Sequence, residues 1–158
     1  MNKQIQQANH RLSLYFWASI FALITLVGCS SDADESGSDS IENIVWQWVS
    51  VTNQSTGEIT SVPDPENYNL IFRSDGVLEG LADCNSFTGT YTKNGDFKIN
   101  IASITMAFCG EASLDQQYLD LLSQVVAGGP DGAGGLALEN AGGEQRMLFK
   151  NGGEAPNP

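Results

Sequence analysis

The chain has 158 residues, one histidine, and 19 acidic against 7 basic side chains, a formal charge of −12. Such a balance argues against nucleic-acid binding, which rests on Lys and Arg neutralising phosphates, and against electrostatic adhesion to anionic lipid. The length suits one folded domain once a leader and a polar tract are set aside.

Lys3 and Arg11 precede an apolar run, residues 12–27, that ends in Leu26-Val27-Gly28-Cys29. Its sixteen residues fall short of the roughly 20 a membrane-spanning helix needs, and a plain secretory signal requires no cysteine here. Small residues closing on a cysteine look like a bacterial lipobox, so residues 1–28 read as a lipoprotein signal peptide with Cys29 as the acylated residue. Each buried methylene adds about 0.8 kcal/mol, so two or three acyl chains such as palmitate would anchor the protein stably where one would not. The expected location is the cell envelope: Ser30 resembles outer-membrane sorting, and the acidic run behind it leaves the periplasmic and surface faces open.

Cleavage before Cys29 would remove Lys3, Arg11 and His10, leaving five basic against all nineteen acidic residues. A mature chain without histidine excludes Ser-His-Asp and Cys-His catalysis and any histidine-ligated metal. The expectation is therefore a non-enzyme with neither cofactor nor metal.

Residues 29–43 are acidic and Ser-rich, the composition of a solvated linker. Asp32, Asp34, Ser36 and Gly37 match half of a calcium loop, but Asn43 stands where a bidentate Glu is wanted and no helix flanks the run. From Ile44 the texture changes to period-two alternation, the mark of half-buried strands. Ile44, Trp46 and Trp48 share one face of the first run; Val45, Gln47, Val49 and Val51 share the other. Residues 59–62 form a second strand before Pro63-Asp64-Pro65. Tyr68, Leu70 and Phe72 alternate, Ser74-Asp75-Gly76 turns the chain into strand 77–81, and strand 87–92 returns through Asn94-Gly95 to Phe97, Ile99 and Ile101. Ser113 and Gln116 form a capping box, after which Leu114, Tyr118, Leu121, Leu122 and Val125 keep helical spacing. The seven glycines within residues 128–143 read as loop and hairpin turn, Met147-Leu148-Phe149 as the last strand, and residues 151–158 as a frayed tail.

Three cysteines make an odd number, but lipidation of Cys29 leaves Cys84 and Cys109 as a pair in an oxidising compartment. A bridge closing that loop would stabilise the fold by roughly 3.5 kcal/mol; two separate buried thiols are the other reading. Glu79 with Asp83 is a carboxylate pair that strand-surface charge explains, and Lys93, Lys98 and Lys150 sit where solvent is expected, unsuited to a Ser-Lys dyad. Trp46, Trp48, Tyr68, Phe72, Phe87, Tyr91 and Phe97 read as core, with the lining of an apolar ligand cavity as the alternative.

One constellation is more specific. Trp46-x-Trp48, Tyr68-x-Leu70-x-Phe72-x-x-Asp75-Gly76, Gly80-x-Ala82-Asp83-Cys84-Asn85-x-x-x-Gly89-x-Tyr91 and Thr105-Met106-Ala107-Phe108-Cys109 together resemble the META domain of HslJ-like bacterial lipoproteins over residues 44–150. Asn85 suits a cap or a left-handed turn, Gly89 a bulge or close backbone approach, and Cys84 is placed to meet Cys109. The resemblance implies an α+β, mainly antiparallel fold: a curled sheet or small barrel with one packed helix. It also implies an envelope protein without a catalytic site, acting in envelope maintenance or stress tolerance through an envelope protein or small ligand. Phe108 is an insertion against the family's usual Met-Ala-Cys, and the glycine-rich connection is longer than usual.

Overall fold

The computed structural model describes residues 40–158. The leader, Cys29, Ser30 and the acidic run at 32–37 lie outside the described residues. Nine strands and one α-helix follow in the order β1 (Ile44–Asn53), β2 (Ile59–Ser61), β3 (Tyr68–Phe72), β4 (Val77–Ala82), β5 (Asn85–Thr92), β6 (Lys98–Ile104), α1 (Asp115–Ser123), β7 (Val125–Pro130), β8 (Leu136–Asn140) and β9 (Gln145–Glu154). Every strand pairing is antiparallel, in the spatial order β6-β5-β4-β3-β1-β9-β8-β7, with β2 added to β1. The sheet curls until its outer strands β6 and β7 approach each other. This is the α+β, mainly antiparallel architecture expected above.

Alternation drives the curl. Trp46, Trp48, Tyr68, Leu70, Phe72, Leu78, Phe87 and Tyr91 all turn to the concave face and are buried, each large apolar side chain contributing about 1.5–3 kcal/mol. Helix α1 adds Tyr118 and Leu122 to the same core. Tyr118 stacks on Trp48 with ring centroids 5.1 Å apart and meets Tyr68, Phe87 and Phe149; Phe72 packs edge-on against Tyr91 and Phe97. The seven aromatic residues considered for a cavity lining are thus core, and all of them but Trp46 pack ring against ring. Burial pushes the Tyr118 hydroxyl well above its usual pKa, and among the described residues that hydroxyl has no hydrogen-bond partner.

Val51 joins the core rather than the outer face, because one extra β1 residue is accommodated between Trp48 and Ser50, and the bulge reverses the alternation. Val125 does not continue the helix, which ends at Ser123; it opens β7, and Gly128, Gly129 and Pro130 are strand residues pairing with β8. Gly128 lies close against Leu138, whose side-chain end would have to shift to admit a Cβ there. The capping box is half formed: Ser113 Oγ accepts from the Asp115 N–H at 3.2 Å, but the Gln116 N–H is taken by Asp115 Oδ1 at 2.8 Å.

Both domain edges also move outward. Ile41, assigned to the linker, is buried and accepts the Trp46 indole N–H at its carbonyl, 2.8 Å away. Residues 151–154, assigned to the tail, complete β9; beyond them the Ala155 N–H bonds to the Asn43 carbonyl and Arg73 Nη1 donates to the Pro156 carbonyl.

Gly80 offers a direct test of strand packing. A Cβ there would run into the Asn69 carbonyl oxygen and the Phe87 ring. Gly80→Ala should destabilise the domain by about 2–3 kcal/mol through forced overpacking, while Gly129→Ala, with open space around it, should change stability by less than about 0.5 kcal/mol. Urea unfolding of the two variants checks the contrast.

Candidate functional site

The motif residues divide between the two ends of β5. At its start, Asp83 and Cys84 form the two-residue connection from β4, and Asp83 holds φ +59°. The left-handed position therefore belongs to Asp83 rather than Asn85; a short polar side chain tolerates it. Tyr68 Oη donates to Asp83 Oδ2 at 3.3 Å and accepts the Leu114 N–H at 2.9 Å, tying this turn to the start of α1.

Asn85 instead points inward. It is 3% exposed, the one buried polar residue among those described. Its Oδ1 accepts from the Ala107 N–H at 2.7 Å and from Thr105 Oγ1 at 3.2 Å; its Nδ2 donates to the Ala107 carbonyl at 3.0 Å. The side-chain amide thus pairs with the Ala107 backbone as a neighbouring strand would, satisfying groups that burial would otherwise penalise. Nδ2 also lies 3.2 Å from Cys109 Sγ and 3.4 Å from Asp115 Oδ2. Thr105 adds its own link, Oγ1 accepting the Ser86 N–H at 3.0 Å.

A disulfide joins Cys84 to Cys109 with Cα atoms 5.6 Å apart. The segment 105–109 is therefore held by a covalent bond and a buried amide at once. Yet it carries the two most exposed large apolar side chains described, Met106 at 92% and Phe108 at 86%. Together with Ile104 and Leu119 they wall an open groove of about 450 Å³, with Asn85, Asp115 and Gln116 supplying its polar groups. The larger cleft, about 580 Å³, lies at the opposite end and is formed largely by the chain's own C-terminal residues; it holds none of the motif residues.

Gly89 and Tyr91 belong to the body and far end of β5. A Cβ on Gly89 would collide with the Asn100 carbonyl, beside an irregularity where β6 carries one residue more than β5. The Tyr91 hydroxyl lies 2.8 Å from the Arg73 carbonyl oxygen and 3.1 Å from Glu42 Oε1. Lys93 Nζ donates to the same carboxylate at 2.5 Å. That hydrogen bond holds Glu42 below the usual carboxylate range, while burial and the Glu42 contact push Tyr91 up to about 12. A raised folded-state value means the Tyr91 contribution is complete below the ordinary tyrosine pKa of about 10 and drains away as pH rises from there towards 12. Alkaline unfolding curves of wild type and Tyr91→Phe should separate below that window and converge within it.

Elsewhere Glu79 pairs with Arg73 at 2.8 Å rather than with Asp83. Among the described residues no group of three His, Cys, Asp or Glu side chains is placed to hold a metal ion. The apolar groove is what sequence reasoning missed; its signal was the pairing of Met106 and Phe108 beside a cysteine, in a segment without strand alternation.

The family model of the META domain matches residues 39–153. The chain belongs to that family. Similar solved structures include the NMR structure of a protein from Burkholderia xenovorans, with TM-score 0.54 and 20% identity, covering 70% of this chain and 83% of that one. Another is the crystal structure of a DUF4847 family protein from Bacteroides vulgatus, with TM-score 0.53 and 15% identity over 70% and 93% of the two chains. At these identities the likeness is one of fold. No curated protein matches the sequence. The matched span includes Glu42 at one end and most of β9 at the other, so the outward shift of both domain edges agrees with the extent of the META domain.

Proposed function

We propose that this META domain is a lipid-anchored, non-catalytic component of the cell envelope, acting in envelope maintenance or stress tolerance by docking a partner on the loop at 105–109. One observation carries the reading: Met106 and Phe108 stand almost fully exposed on a segment fixed from behind by Asn85 and the Cys84–Cys109 bridge. Exposed apolar side chains on a fixed loop lose little entropy on binding and bury apolar area at once, which is what a protein interface needs. Acylation at Cys29 supplies the anchor in this reading. The alternative of an apolar ligand held inside the barrel is less favoured, because the rings of the concave face pack against one another.

Two measurements test it. Cys29→Ala should move the protein out of the membrane fraction, and unchanged fractionation would remove the anchor. A photo-crosslinking amino acid at position 108 of the full chain should give discrete protein adducts in intact cells; only lipid adducts, or none, would count against docking.

A further inference from the structure

We infer that Met106 is an oxidation site that switches the docking surface, its thioether converted to the sulfoxide by two-electron oxygen donors such as peroxides and hypohalous acids; the switching half rests on the docking reading above. The inventory of oxidation-prone side chains points to it. Cys84 and Cys109 are already joined in the bridge, and Met147 is 2% exposed against 92% for Met106. Trp46, Trp48, Tyr68, Tyr91 and Tyr118 are all buried. Among the described residues Met106 is therefore the one oxidation-prone side chain that stands in solvent, and its polarisable thioether is open to dissolved oxidants.

The step is an oxygen transfer. A lone pair on Met106 Sδ attacks one oxygen of hydrogen peroxide, the S–O bond forms as the O–O bond breaks, and the other oxygen leaves as water after proton transfer through solvent. Sulfur loses two electrons and the peroxide gains them. A methionine sulfoxide reductase reverses the change, its dithiol becoming a disulfide as the oxygen leaves as water. The added oxygen alters the surface rather than the scaffold. Thr105 is tied to Ser86 and Asn85, Ala107 to the Asn85 amide, and Cys109 to Cys84, so the segment keeps its place whatever Met106 carries. The apolar wall that Met106 shares with Phe108, Ile104 and Leu119 then gains a polar sulfoxide, which an apolar partner surface strips of water without replacing its hydrogen bonds. Oxidation thus reads out as lost docking on an unmoved loop.

The experiment takes cells carrying the full chain with a photo-crosslinking residue at Gln116, treats their envelopes with hydrogen peroxide before illumination, and follows Met106 and Met147 by peptide mass mapping. Met106 should reach the sulfoxide at least about tenfold faster than Met147, because exposure sets susceptibility. Protein adducts from position 116 should fall about tenfold on oxidation and return after treatment with methionine sulfoxide reductase. In Met106→Leu, which keeps volume and apolarity without an oxidisable sulfur, they should persist through the peroxide. Oxidation of Met147 at the same rate overturns the site. Adducts that survive complete Met106 oxidation, or that Met106→Leu loses to peroxide as wild type does, overturn the switch and leave docking intact. Absence of adducts from the untreated protein overturns the docking reading and the switch with it, while the mass map still decides whether Met106 is the selective site.

Discussion

Asn85→Ala should unfold at clearly lower urea concentration than wild type, with a loss of about 2–3 kcal/mol. The variant strands the Ala107 N–H and carbonyl and the Thr105 hydroxyl, all of which bond to Asn85; each lost partner would cost about 1–3 kcal/mol in a buried setting, and because Thr105 and Ala107 are exposed, water recovers part of it. Asn85→Asp should be worse at neutral pH despite near-identical size. It keeps the acceptor but places a buried carboxylate near Asp115 Oδ2 and the Ala107 carbonyl, both of which now contact the amide nitrogen. Its folded-state pKa would be raised, so the added destabilisation is relieved progressively as pH falls through that raised value and is fully relieved once pH reaches about 4, the ordinary aspartate value. If Asn85→Ala proves neutral, the amide does not hold the loop.

The second large effect concerns the bridge. Cys84→Ser/Cys109→Ser should cost about 3.5 kcal/mol, the chain-entropy value for a loop of this size. Because Asn85 Nδ2 also contacts Cys109 Sγ and both devices hold the same segment, their losses should not add. Once the bridge is gone the segment swings away and Asn85 has less left to lose. A double-mutant cycle in urea should therefore return a combined loss smaller than the sum of the parts; strict additivity would mean that bridge and amide stabilise separate regions.

Much of the sheet could be read from alternation, because β3, β5 and the start of β1 bury every second residue. What escaped was non-local. The bulge that turns Val51 inward depends on its partner Leu148–Phe149 across the sheet, which no window of the β1 sequence reveals. Val125 keeps helical spacing with Leu121 and Leu122 and is nonetheless the first residue of an edge strand, where Gly128 lies close against Leu138. The polar linker composition hid Ile41, whose burial is decided by the indole of Trp46. At the site, the run from Gly80 to Tyr91 was visible as a motif, but the role of Asn85 was not. An asparagine after a turn reads locally as turn chemistry, and only the arrival of Ala107 from a distant part of the chain makes it a clamp.

The most direct measurement is made on Met106→Ser/Phe108→Ser in the full chain, with a photo-crosslinking residue at Gln116 on the groove wall. If the clamp exists to present these two side chains to a partner, their removal changes folding stability by less than about 0.5 kcal/mol, as for exposed positions, while the protein adducts from position 116 disappear. Persistent adducts, or a loss of stability of several kcal/mol, would contradict the account.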